Sequence, residues 1–251
     1  MLRLLLGRLG SFIVTLLAAS IVVFVVLDIL PGDPAAILLG TSARPDTLAA
    51  LRHQLGIDQP LILQYLEWIG GALTGDLGKS ITYGVPVSGL IADRLALTLP
   101  LAILAIVIST GLALFLGVMA AAFRDRGIDR AVRGFAQLGI AVPDFWIGLL
   151  LILLFSPTLN WFSAGGWSGW GNGPGRALAA LILPAIALAL PQAGVLTRVT
   201  RSAVLDVLEE DFIRTARAKG LDRRTALWRH ALPNALLPVI TILGLQFSFL
   251  V

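Results

Sequence analysis

The chain has 251 residues, 57% of them hydrophobic and 14% charged, with a formal net charge of +4 and no cysteine. A mean hydropathy of +0.88 lies outside the range of a soluble domain of this length, which would interleave polar positions at helical or strand period. The lack of cysteine excludes a disulfide scaffold and a thiolate metal site, and a pI near 10.3 makes the placement of the basic residues the next question.

Residues 10–27 form the first charge-free run, preceded by Arg3 and Arg8 and followed by Asp28 and the breaker Leu30-Pro31-Gly32-Asp33-Pro34. The run is long enough to cross a bilayer, exceeds the apolar core of a usual signal peptide and precedes no small-x-small cleavage site, so residues 1–30 are expected to form an uncleaved transmembrane helix. Residues 31–94 are too long and too patterned for a slack connector. There Asp46 is expected to cap a helix carrying Leu48, Leu51 and Leu55 and closing at Gly56, and Asp58 with Pro60 to open another through Leu61, Tyr65, Trp68 and Ile69. These two amphipathic helices suit either a packed lid or a docking surface for a partner.

The remainder, residues 95–251, reads as a core with spans at about 95–123, 134–155, 177–197 and 235–251. The second span contains Pro100 and Gly111, the third is interrupted only by Asp144, the fourth holds Pro184 and Pro191, and the chain's end cuts the fifth off at 17 residues. The expected fold class is therefore all-α, a polytopic transmembrane helix bundle of about five spans with the last truncated. Between the third and fourth spans, Trp161, Trp167 and Trp170 stand among glycines, as interfacial anchors do.

With the amino terminus placed in the cytoplasm, fourteen of the nineteen lysines and arginines fall on the inner side, eight of them in the 198–234 loop. This agrees with the positive-inside rule and accounts for the basic pI without a nucleic-acid partner. The expected topology is multi-pass, with the lipid bilayer as surroundings.

Leu73-Thr74-Gly75-Asp76-Leu77-Gly78-Lys79-Ser80 ends like a phosphate-binding loop, but Leu73 stands where the first glycine belongs and no apolar strand precedes it. No HExxH or G-x-S-x-G motif is present, and His53 and His230 fall on opposite sides of the membrane in this topology. No catalytic residue, cofactor site or metal site is expected.

The loop from Asp211 through Pro233 is the most informative stretch. It reads as a helix ended by Gly220 in the left-handed cap position, a one-residue joint at Leu221, and a second helix capped by Asp222. The small side chains of Ala216 and Ala218 before the turn allow another protein to approach the backbone closely. A DNA-reading domain would need a third helix and a core that the loop cannot house between two membrane helices.

The permeases of ABC importers carry Glu-Ala-Ala, three residues, Gly, nine residues, then Ile-x-Leu-Pro. Placing Gly220 on that glycine puts Leu232 and Pro233 on its Leu-Pro and Ala216 on its second alanine, while Arg214, Thr215 and His230 depart from it. The run Arg214-Thr215-Ala216-Arg217-Ala218-Lys219-Gly220-Leu221 resembles the form found in the dipeptide and oligopeptide permease family. So do Leu30-Pro31-Gly32-Asp33-Pro34, Leu55-Gly56-Ile57-Asp58-Gln59-Pro60, Gly75-Asp76-Leu77-Gly78 and Val142-Pro143-Asp144-Phe145-Trp146, in family order across nearly the whole chain.

The resemblance, which is to the first of the two permease subunits, implies a bacterial or archaeal cytoplasmic (inner) membrane location and an ABC importer permease fold that continues into a sixth helix and a basic tail. Its implied partners are a second homologous permease subunit, two cytoplasmic ATP-binding subunits that perform the hydrolysis, an extracytoplasmic solute-binding protein, and a peptide or similar small solute. It implies an ATPase-coupling loop at Phe212, Arg214, Thr215, Ala216, Arg217, Ala218, Lys219, Gly220, Leu221, Leu232 and Pro233. Because exposed ion pairs give only about 0–1 kcal/mol each, apolar packing around Phe212, Ala216 and Leu221 is the expected transmitter of ATPase closure. Asp144 lies eleven residues past Arg133, about 16 Å along a helix and so near mid-membrane. Two readings stand for it: Pro143 breaks the helix and Asp144 caps the half that follows, or Pro143, Asp144, Phe145 and Trp146 line the translocation pathway and the carboxylate attracts a cationic group. The alternative function is a secondary transporter or channel working alone; a non-transporting membrane scaffold is weaker.

Overall fold

The computed structural model describes residues 2–29, 32–40, 43–80, 82–163, 165–167 and 169–251; Leu30 and Pro31 of the first breaker lie outside the described residues. Among these, regular structure is helical, with one isolated bridge between Lys79 and Pro86. Four helices are long and apolar enough to cross a membrane, and five spans result if a bent pair counts as one. The chain divides into two compact units, residues 1–94 and 95–251.

In the first unit, α1 (Leu2–Ile29) is followed by α2 (Pro34–Leu39), α3 (Pro45–Gln54) and α4 (Leu61–Thr74). The breaker thus contains a short helix that periodicity did not reveal: Asp33 caps α2 by accepting from the Ala35 amide at 3.0 Å, and Pro34 needs no donor at its first position. The same carboxylate accepts from Arg52 Nε and Nη2 at 2.9 and 2.6 Å, tying α2 to α3. Hydrogen bonding and charge from Arg52 hold Asp33 below the ordinary carboxylate range. Neither expected acidic cap forms. Arg44 is the cap residue of α3, its amide donating to Thr47 Oγ1 at 3.2 Å, and Asp46 lies inside the first turn. Pro60 occupies the cap position of α4, and Asp58 faces His53 Nδ1 at 3.6 Å. Tyr65 of α4 reaches α1 through Ser20 Oγ at 2.8 Å and an edge contact with Phe24 at 5.4 Å.

The pseudo phosphate loop is the end of α4 and a turn. A helix precedes it, Gly75 and Gly78 take positive φ, and Asp76 Oδ1 accepts from the Gly78 amide at 2.9 Å. A helix in place of the strand, with the side chain of Asp76 turned inward, leaves no phosphate cradle.

The second unit is built around α8 (Pro174–Leu208), which passes through Pro184 and Pro191 without a break. Its neighbours are α5 (Val87–Ala122), α6 (Gly127–Ala141), α7 (Asp144–Leu153) and α11 (Leu232–Leu250). Across the expected 134–155 span, α6 and α7 meet at a 99° elbow, because Pro143 cannot donate to the preceding turn and restricts Val142 to extended backbone. Seven of the eight buried residues of α5 are alanine, glycine or serine. Small residues let backbones approach, the usual basis of helix association in lipid. A Cβ on Gly117 would lie 2.6 Å from Thr200 Cβ, and one on Gly194 would lie 2.6 Å from the Ala136 carbonyl oxygen. Leu196, Ala113 and Val239 join α8 to α5 and α11.

Candidate functional site

Two short elements connect α8 to α11: α9 (Asp211–Ala218) and α10 (Arg223–Thr225), the latter continuing as a π-turn over Ala226–Ala231. Helix α9 has two faces. Ile213, 1% exposed, packs with Ala226 and Ala231 beside Val207, Leu208 and Leu221. Phe212, 46% exposed, points away, with Thr215 and Lys219 following one and two turns along the same face. Ile213 was not singled out from the sequence; its apolar spacing to Leu221 across the turn was the available signal.

The turn forms as its residues require. Gly220 has φ +95°, its amide donates to Arg217 O at 3.0 Å, and Leu221 N donates to Ala216 O at 3.2 Å, closing the carbonyls that α9 leaves free. Asp222 Oδ2 then accepts from the amides of Arg224 and Thr225, both at 3.1 Å. The Thr225 side chain, followed by these amides, holds the Asp222 carboxyl below its ordinary range. Arg223 donates to the Ala122 carbonyl at 3.2 Å, fixing the turn to the end of α5. Leu227 enters the cluster of Val118, Ala121, Ala203, Val204 and Ala235, against which Leu232 packs. Arg214 pairs with Asp211, one turn before it, at 3.2 Å, and Arg217, Ala218 and Lys219 are exposed. Pro233 lies in the first turn of α11.

Beside this turn sits an ion pair that sequence reading missed. Asp129 of α6 is fully buried, and its two oxygens accept from Arg201 Nε and Nη2 of α8 at 2.7 and 2.8 Å. The Asp125 amide at 3.0 Å adds a third donor, and Arg133 Nε lies at 3.4 Å. A bidentate fork of this kind sets both distance and orientation between two helices. Arg124 and Glu209 make a second, exposed link at 2.6 Å between the α5–α6 connection and the end of α8.

At the elbow, Asp144 is the first residue of α7, and its Oδ1 accepts from the Phe145 amide at 2.7 Å. It satisfies one of the free donors of the helix start, with Pro143 as the cap residue. Phe145 and Trp146 are exposed, and Leu138, Trp146, Leu150 and Leu190 line an apolar recess of about 390 Å³. The predicted residues thus form two groups on separate elements, the elbow and the α9–α10 turn.

Helices long and apolar enough to cross a membrane four or five times, with an exposed turn anchored to them through Ile213, suit a multi-pass membrane component. Residues 113–251 match the family of binding-protein-dependent transport system inner membrane components, and residues 1–102 match the corresponding amino-terminal family. The chain belongs to this family, as a multi-pass permease component of an ABC importer. A Brucella abortus chain bearing the name of a peptide transport system permease protein is 42% identical over 251 residues, covering all of this chain and 80% of its own. The glutathione transport system permease protein GsiC of Salmonella choleraesuis is 40% identical over 250 residues, covering 100% of this chain and 79% of its own. A chain of Sinorhizobium fredii bearing the name of a peptide ABC transporter permease protein is 37% identical over 247 residues, with 98% and 79% covered.

Proposed function

We propose that the chain is one of two homologous subunits lining a path for a peptide or similar small solute, with residues 198–234 facing the cytoplasm and α9 seated in an ATP-binding subunit. Two such ATP-binding subunits hydrolyse ATP, and an extracytoplasmic solute-binding protein delivers the cargo. The observation that carries this reading is the two-faced α9: Ile213 anchors it to the bundle while Phe212 projects from a turn locked by Gly220 and Asp222. A projection held on one side transmits force, because movement of its exposed face must move α5 and α8 with it. The basic residues of the loop support the orientation, and the relatives' names support a peptide-like cargo.

The test uses the complex assembled with its ATP-binding subunits in vesicles. Phe212→Asp is expected to leave assembly of the permease pair intact and to abolish the solute-stimulated part of ATP hydrolysis together with uptake. Uptake at the parent rate would remove α9 from coupling. Because the chain lacks cysteine, Thr215→Cys reports orientation in vesicles that hold the chain without its ATP-binding subunits: an impermeant maleimide should label it in inside-out vesicles and not in right-side-out ones. In the same reading the elbow at Pro143, Asp144, Phe145 and Trp146 borders the path. Asp144→Asn then lowers uptake of cationic solutes selectively, whereas equal uptake of all solutes leaves Asp144 as a helix-start acceptor alone.

A further inference from the structure

The last turns of α5, together with α10 and the π-turn after it, wall an open groove of about 490 Å³ that lies wholly within the second unit. Its walls are apolar: Val118, Met119 and Leu227 lie inside, and Phe115 and Trp228, 65% and 53% exposed, flank it. One end is charged. Arg126, Arg223 and Arg224 line it there, Arg223 already donating to the Ala122 carbonyl. Among the described residues neither Arg126 nor Arg224 pairs with a carboxylate. The nearby acids are engaged elsewhere: Glu209 and Asp125 with Arg124, and Asp222 with backbone amides. Phe115 lies seven residues before Ala122, about 10 Å along the helix, so the apolar wall extends into the bilayer away from the arginine end.

A groove charged at the membrane boundary and apolar below it matches a ligand with an anionic head and a hydrocarbon tail. A free anion would leave the apolar walls bare, and the cationic group of a zwitterionic lipid would meet three guanidinium groups. We propose that this groove binds one anionic phospholipid, its phosphate against Arg126, Arg223 and Arg224 and an acyl chain along Phe115 and Trp228. The site concerns the lipid around the permease rather than its cargo, and it stands independently of the coupling role of α9.

The test places the full chain in phosphatidylcholine vesicles containing brominated phosphatidylglycerol or, at equal mole fraction, brominated phosphatidylcholine. The emission of Trp228 is obtained as the difference between the parent and Trp228→Phe. Quenching by the brominated phosphatidylglycerol is expected at least about fivefold more effectively, the factor that one basic residue at a membrane surface provides. Arg126→Gln with Arg224→Gln should erase the preference, and Arg229→Gln, outside the groove, should keep it. Equal quenching by the two lipids overturns the proposal. Absence of quenching by either also overturns it, because protein then covers the groove. If the double variant does not fold, the comparison of the two lipids on the parent decides alone.

Discussion

In α8 the residues that meet neighbouring helices are mostly alanine, glycine and threonine, whereas the α9–α10 turn is held by two closing backbone bonds, a carboxylate cap and the buried side chain of Ile213. The first region gains its order from close approach. A Cβ at Gly194 would meet a backbone oxygen at 2.6 Å, while one at Gly220 would meet nothing within 4 Å. The two glycines therefore do different things. Gly194 is required by its surroundings and Gly220 by its own φ of +95°. Lipid offers no hydrophobic reward for burying leucine, so the bundle packs on small side chains, while the exposed turn uses the local capping devices of soluble helices.

The largest effect should come from removing close approach. Gly194→Ala and Gly117→Ala each place a methyl group 2.6 Å from a heavy atom, and in Gly194 that atom belongs to backbone that cannot rotate away. Destabilisation at or above the upper end of the ~1–3 kcal/mol range for overpacking is expected, seen as a lowered aggregation temperature of the purified chain. Gly134→Ala, also helical but with nothing within 4 Å, should be neutral or stabilising by about 0.5–1 kcal/mol. If all three behave alike, the distinction between the two regions collapses.

Asp129→Ala comes next. It strands Arg201, which is only 21% exposed, and removes the fork between α6 and α8. The expected loss is about 3 kcal/mol, at the lower end of the ~3–5 kcal/mol for breaking a buried pair because Arg201 keeps some contact with water. Combining Asp129→Ala with Arg201→Met should recover much of the loss, since the penalty comes from the stranded charge. Thermal unfolding of the two variants side by side measures this.

How legible each region was from sequence follows the same division. Gly220, Leu221 and Asp222 were assigned in advance because a cap is specified within a few residues, and the structure has each in that position. Asp129 and Arg201, 72 positions apart, were not, since nothing local marks one carboxylate among several as buried. Gly117 and Thr200 were hidden for the same reason. Pro143 announces a break, yet the 99° angle of the elbow depends on how α6 and α7 each pack on α8, which no local pattern specifies. Asp46 and Asp58 looked like caps because the type of residue was right; Arg44 with Pro45 and Pro60 took those positions instead. The short helix α2 was obscured by the prolines and glycine around it, although Asp33-Pro34 is itself a helix-start signal.

Gly220→Ala tests the turn and should cost about 1–2 kcal/mol, the penalty of a left-handed L-residue, with no steric addition. Gly220→Asn should cost less, because asparagine tolerates that conformation. Hydrogen exchange at the Leu221 amide, which closes the turn on Ala216, reads the local effect without requiring the bundle to unfold.

The smallest effect is expected from acid acting on Asp222. Its carboxyl is held below the ordinary range first by the Thr225 side chain and then by the Thr225 and Arg224 amides. A carboxyl whose pKa is depressed by folding stabilises the folded turn above its unfolded value of about 3.9, and that contribution disappears as pH falls through the lower folded value. Exchange at the Arg224 and Thr225 amides, corrected for intrinsic rate, should therefore be flat near neutrality and accelerate only below about pH 4. Asp222→Asn separates charge from capping, because asparagine accepts the same two amide bonds but does not titrate. The variant should keep protection close to the parent's at neutral pH and lack the acid-dependent loss. If the asparagine variant loses protection in acid just as the parent does, another group governs the turn, and the cap at Asp222 is a consequence of the fold around Ile213 rather than one of its supports.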